Sequence, residues 1–108
     1  MSQSLIYVTA ASKDDAAAIG RKLVEERLCA CANVVDGAIS FYWWDGAVQE
    51  DAEAVLIAKT REDLVAVVTE RIKELHGYDC PCVVALPITA GNRDFLQWID
   101  RQTSPAGD

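Results

Sequence analysis

The chain has 108 residues and a mass of 11.8 kDa, which suits one domain spanning residues 1–108 and excludes two domains of ordinary size. Hydrophobic residues make up 51% of the sequence and charged residues 25%, which is typical of a globular protein and not of a disordered chain. The formal net charge of -7 repels phosphate backbones and anionic headgroups. We therefore expect no nucleic acid and no membrane among its partners.

The first elements are a strand and a helix. Residues 5–8 form a β-branched and aromatic run that predicts a strand buried on both faces. Ser12 follows, and Asp14 and Asp15 lie in the next turn, where acidic side chains favour the start of a helix.

Residues 30–60 have the character of a long β-hairpin. Asp45-Gly46 stands between two apolar runs and predicts its tight turn. Each arm would be about 46 Å long, whereas a domain of this size is only about 35 Å across. The arms must therefore bend, for which Asp36-Gly37 offers a bulge, or project from the domain. The outer part needs another surface to cover its aromatic side chains, which we assign to a self-association interface: Phe41, Tyr42, Trp43 and Trp44.

The second half of the chain contains two more helices and one more strand. Thr60 with Asp63 predicts the start of the second helix, and Gly77 its end. A strand follows at residues 82–86, limited by Pro87, and Asn92 caps a final helix.

The order β-α-β-β-α-β-α predicts an α+β fold, the ferredoxin-like split βαβ plan with an added C-terminal helix and the strand order 4-1-3-2. The domain core would span about residues 5–103, with a tail at 104–108.

Short blocks along nearly the whole chain, in order, resemble the CutA family of divalent-cation tolerance proteins. They are VEERL (24–28), CAN (31–33), YxWxG (42–46), EDxE (50–53), KT (59–60), LHxYxxP (75–81), VALPI (84–88) and GNR (91–93) with Trp98. The resemblance implies a homotrimer of ferredoxin-like subunits, built like the PII signalling proteins, whose long hairpins wrap neighbouring subunits. It also implies metal tolerance and copper binding, polar clefts between subunits, and no established enzymatic reaction.

Two positions depart from the family's usual pattern. The family commonly has His-Pro-Tyr where this chain has His76-Gly77-Tyr78, and Pro-Glu where it has Pro81-Cys82. The second difference puts a soft thiol where the family has a carboxylate, so no role of that glutamate is carried over.

Metal-site candidates come from the four cysteines, which match the family only at Cys31. A signal peptide would require basic residues near its start, but no basic residue precedes Lys13. We therefore expect a cytoplasmic location and reduced thiols. Reduced thiols are either small buried hydrophobic side chains or ligands for a soft metal such as copper. Because strands 2 and 4 are opposite sheet edges, we expect any shared site to lie between subunits. The candidate ligands, in order of preference, are Cys31, Cys82, His76, Cys29 and Cys80.

Four further residues are expected to line the cleft between subunits, where a small anionic ligand could also bind: Lys59, Tyr78, Trp98 and Glu53. Lys59 could equally extend from a strand end into solvent. Glu53, with its acidic neighbours, is interpreted mainly as a solvated face, with weak binding of Mg²⁺ or Ca²⁺ as the alternative.

The sequence therefore predicts a binding or regulatory protein of the metal-ion response, with no obligatory cofactor. Three alternatives stay open: a PII-like module that binds a metabolite or partner protein, a structural trimeric platform, and a thiol enzyme. The last would need a Cys31–His76 pair within hydrogen-bonding reach.

Overall fold

The computed structural model describes residues 2–104, which form a four-stranded antiparallel sheet and three α-helices. The elements are β1 (Gln3–Ala10), α1 (Lys13–Glu25), β2 (Cys31–Trp44), β3 (Ala47–Arg61), a 3-10 turn (Glu62–Leu64), α2 (Val65–Leu75), β4 (Val83–Ile88) and α3 (Arg93–Gln102). The sheet order is β2-β3-β1-β4. This confirms the predicted α+β class and strand order; of the expected tail, residues 105–108 lie outside the described residues.

The core lies between one face of the sheet and the helices α1 and α2. Ile6 of β1 and Leu56 of β3 are fully buried there against Leu23 of α1 and Ile72 of α2. Alternate residues of a strand point to opposite faces, and Leu5, on the other face of β1, is only partly buried. The expectation that β1 is buried on both faces is therefore wrong for the single chain.

Local signals confirm the helix starts and the hairpin turn. Ser12 accepts a hydrogen bond from the Asp15 N–H, and Asn92 caps α3 in the same way. Asp45 and Gly46 have φ values of 53° and 76°, the pair of positive values that a type I′ turn requires.

A bulge interrupts the long hairpin where the sequence predicts one. The β2–β3 register shifts between Val35 and Ala38, and Gly37 there has a φ of 84°. A bulge of this kind bends its strand and increases the local twist.

The predicted start of the second helix is wrong. Thr60 lies inside β3, paired with Ser4, and α2 begins at Val65 after the 3-10 turn. The Thr60 hydroxyl instead donates a 2.6 Å hydrogen bond to the Leu28 carbonyl in the buried interior. It thus holds the connection between α1 and β2 against the sheet.

The ends of α2 and β4 also differ from the predictions. His76 terminates α2 in an extended conformation, and Gly77 lacks the positive φ of a glycine cap. β4 begins at Val83 and continues through Pro87 to Ile88. Pro87 is tolerated because β4 is an edge strand, where a missing N–H need not break a ladder.

Among residues 2–104, no helix is long and apolar enough to cross a membrane.

Replacing Thr60 by valine should lower the free energy of unfolding by about 1–2 kcal/mol, because the Leu28 carbonyl loses a buried donor. Thr69→Val is the matched control: its hydroxyl donates to Val65 on the partly exposed side of α2, and its loss should cost less than about 0.5 kcal/mol. Urea denaturation at one protein concentration measures both. Equal effects would contradict the anchoring role of Thr60.

Candidate functional site: thiols and the loop after helix 2

Cys29 is an interior residue and a poor metal ligand. It lies between α1 and β2 with a 1% exposed side chain, and its N–H donates to the Leu23 carbonyl. Burial raises the pKa of the Cys29 thiol to about 12. The thiolate that a metal needs is therefore disfavoured at this position.

Cys31 opens β2 directly opposite Lys59 of β3. The Lys59 ammonium lies 3.9 Å from the Cys31 sulfur and donates a 3.0 Å hydrogen bond to the Asn33 side-chain oxygen. These side chains project from the sheet face opposite α1 and α2, since the alternating residues Ala32 and Ala58 belong to the core side. A neighbouring ammonium suits an anion better than a metal cation.

Cys80 and Cys82 lie in the loop that joins α2 to β4, and both are exposed. β2 and β4 are the two edges of the sheet, three strand spacings or about 14 Å apart. A single chain therefore keeps these thiols apart from Cys31. Consistently, the described part of the chain contains no group of three or more side chains placed to hold a metal.

His76 is held on both ring nitrogens. Its Nε2 lies 2.7 Å from the Thr9 carbonyl, and its Nδ1 accepts a 3.1 Å hydrogen bond from the Tyr78 N–H. A carbonyl can only accept and an amide can only donate, so the neutral ring with its proton on Nε2 satisfies both partners. His76 therefore fixes the start of the loop, and it could bind a metal only by giving up one of these bonds.

Two tyrosines bind two carboxylates where this loop meets the hairpin. The Tyr78 hydroxyl donates a 3.0 Å hydrogen bond to Glu53, and the Tyr42 hydroxyl donates to Asp51. Burial, followed by the bond to Glu53, raises the pKa of Tyr78 to about 12. The bond to Asp51 likewise raises the pKa of Tyr42.

The sequence predicted Glu53 and Tyr78 as lining one cleft, but neither their hydrogen bond nor the second pair, Tyr42 with Asp51, because the acids were interpreted mainly as a solvated face. The available signal was spacing: Asp51 and Glu53 share one face of β3, and so does Gln49, the partner of Tyr42.

A cavity of about 340 Å³ adjoins the same loop. It lies between α1 and the end of α2, lined by Ile19 and Leu75 together with Lys22, His76 and Tyr78. Its wall is mainly apolar, and both His76 nitrogens are already occupied, so the charged groups that the cavity offers to a ligand are Lys22 and Asp15 of α1.

The four expected cleft residues have different neighbours within one chain. Glu53 and Tyr78 are bonded to each other, whereas Lys59 lies with Cys31, six residues or about 20 Å further along β3. Trp98 stacks on Phe95 of α3 with ring centroids 5.4 Å apart.

The Cys31–His76 pair that a thiol enzyme would need is not formed in the chain either, because each side chain has the separate partners given above.

A family model described as CutA1 divalent ion tolerance protein matches residues 4–102. The chain belongs to this family. The CutA crystal structure from Oryza sativa superposes with a TM-score of 0.94 at 43% identity, covering 97% of this chain and 96% of that one. These matches confirm both the predicted resemblance and the fold.

Curated CutA relatives match over most of this chain. The divalent-cation tolerance protein CutA of Thermus thermophilus is 44% identical over 94% of this chain and 98% of its own length. The chloroplastic CutA 1 of Oryza sativa is 46% identical over 92% of this chain, but the chain spans only 56% of that protein's length.

Replacing Tyr78 by phenylalanine should change the alkaline stability of this CutA chain. Because the folded-state pKa of Tyr78 is raised from 10.0 to about 12, its contribution is fully present below pH 10 and is lost as the pH rises towards 12. The variant should therefore lose less stability than the wild type between those pH values. Urea titrations across this range measure the difference, with Tyr7→Phe on β1 as the control. Parallel pH curves for wild type and Tyr78→Phe would contradict the assignment.

Proposed function

We propose that this CutA family member is a homotrimeric, cytoplasmic protein of the metal-ion response that binds a soft metal, above all copper, through its thiols at a cleft between subunits. Binding, rather than catalysis, is the proposed activity. The observation that carries the metal assignment is that thiols occur near both edges of the sheet, Cys31 at one and Cys82 at the other. If edges of neighbouring subunits meet, these thiols approach one another.

The hairpin supports self-association. Phe41 and Trp43 on one face of the ribbon are 66% and 75% exposed, and Trp44 on the other face is 68% exposed. Large aromatic side chains as exposed as these are stable in water only when other surfaces cover them. β2 also has an unpaired outer edge, which can continue a sheet into another chain.

The sheet face opposite α1 and α2 supports the same conclusion. Val84 and Leu86 of β4 are about half exposed there, and they lie beside Tyr7 and Leu5 of β1. This face adds a second apolar surface that a neighbouring subunit would bury. Three subunits are proposed on the resemblance noted in the sequence.

The acidic chain suits a cation-binding role, since a net charge of -7 raises the local concentration of cations. Thiolates select soft ions such as Cu(I). A second candidate function, binding of a small anionic metabolite in a PII-like signalling module, is favoured by one observation: the Lys59 ammonium projects from the open face of the sheet beside Asn33.

Charged substitutions in the hairpin should break the trimer. Wild type should sediment at three times 11.8 kDa, and the double variant Phe41→Glu/Trp43→Glu at a lower mass, because the interface would bury two unpaired charges. Val67→Glu is the control: this α2 side chain is 46% exposed and outside the hairpin, so the variant should stay trimeric. A monomeric wild type would refute the assembly.

Copper uptake tests the metal assignment. The reduced protein should take up Cu(I) in a whole-number ratio to the trimer against a competing chelator, and Cys82→Ser should abolish this uptake. Weak, non-stoichiometric uptake unchanged in Cys31→Ser and Cys82→Ser would refute the metal function. Anionic metabolites that require Lys59 would then be the ligands to test.

A further inference from the structure

The loop between α2 and β4 carries two thiols separated by a single residue. Cys80 and Cys82 are both exposed, and neither thiol takes part in a hydrogen bond or ion pair within residues 2–104. Pro81 between them has a restricted φ, and the segment lies outside β4, which begins at Val83. These two thiols are therefore available to a ligand from solvent.

The loop is fixed at both ends and irregular between them. At its start, His76 bonds to Thr9, and Tyr78 bonds to Glu53. At its end, Val83 enters β4 and pairs with Val8 of β1. The cysteines thus lie on a short tether whose ends are held by the sheet, which lowers the entropy lost when an ion joins them.

The spacing suits one ion shared by two sulfurs of the same chain. Cα atoms two residues apart are separated by at most about 7 Å. Metal–sulfur bonds of about 2.3 Å require the two sulfurs to lie about 4.6 Å apart or closer. Side chains on Cα atoms at this separation reach each other, as disulfide geometry shows.

The other two cysteines are less suited to a metal cation. Cys29 is buried in the core, and Cys31 has the Lys59 ammonium 3.9 Å from its sulfur. By contrast, the residue before Cys80 is the acidic Asp79. Local charge therefore favours a cation at the loop over one at Cys31.

We propose that Cys80 and Cys82 of one chain form a two-sulfur clamp for Cu(I). On binding, two S–H bonds break, two Cu–S bonds form and two protons pass to solvent, with no change in the oxidation state of copper. Two thiolates satisfy Cu(I), which accepts two-coordinate geometry. Zn²⁺ takes four protein ligands in closed sites, and the described residues offer no third ligand beside the pair.

This inference rests on the proposed function, because it takes the bound metal to be soft, and it makes Cys80 rather than a neighbour's Cys31 the partner of Cys82. The test is Cu(I) titration of the reduced trimer of the 108-residue chain under a chromophoric chelator, with Cys80→Ser, Cys82→Ser and the control Cys31→Ser. Because both loop thiols are exposed, the serine variants should keep the circular dichroism spectrum and sedimentation of wild type.

Wild type and Cys31→Ser should each bind one Cu(I) per chain, while Cys80→Ser and Cys82→Ser should each bind at least about 100-fold more weakly, since each loses one arm of a bidentate site. Loss of Cu(I) binding in Cys31→Ser and Cys82→Ser, with retained binding in Cys80→Ser, would overturn the clamp and support the proposed intersubunit site. Retention of Cu(I) binding in all three variants would refute both the clamp and the intersubunit site.

Zn²⁺ provides a second, independent measurement on the same samples. Equilibrium dialysis with Zn²⁺ alone should show no stoichiometric binding to wild type that is absent from Cys80→Ser. Zn²⁺ binding as tight as that of Cu(I), lost in Cys80→Ser, would mean that further ligands complete the site and would overturn the two-sulfur clamp.

Discussion

β2 and β3 pair along nearly their whole lengths, from Cys31 opposite Lys59 to Trp44 opposite Ala47. Only the inner part of this ladder is covered by α1 and α2, because the core residues of β3 end at Ala54 on the outward side. The outer part therefore exposes aromatic side chains that the chain cannot bury by itself. This excess of paired strand over helical cover is what supports the proposed self-association of the chain.

The same sheet separates the thiols. Cys31 lies on one edge strand and next to an ammonium, whereas Cys80 and Cys82 lie in the loop before the other edge strand. His76 and Tyr78 hold that loop by hydrogen bonds to β1 and β3. The pairs Cys29/Cys31 and Cys80/Cys82 thus differ in chemistry although their spacing is the same, because each pair lies at a different part of the sheet.

Local patterns predicted most of the elements. The Asp45-Gly46 turn and the Ser12 cap are correct because each depends on the conformational preferences of a few neighbouring residues. Thr60 failed as a helix start because an N-cap signal is equally local, and pairing with Ser4 across the sheet extended β3 past it. Glu53 and Tyr78 were expected in one cleft, but the hydrogen bonds that join them, and Tyr42 to Asp51, were not predicted because these residues come from three separate segments.

The sequence by itself determined the element order and the hairpin, since both follow from hydrophobic pattern, turn chemistry and length, and the element order then indicated the split βαβ strand topology. Only the tertiary structure decided which cysteines are accessible and what surrounds them. Cys29 and Cys31 are two residues apart in the sequence, yet one is packed under α1 and the other contacts Lys59. Accessibility and charge environment depend on contacts between residues distant in the chain, and those contacts exist only once the sheet and helices have packed.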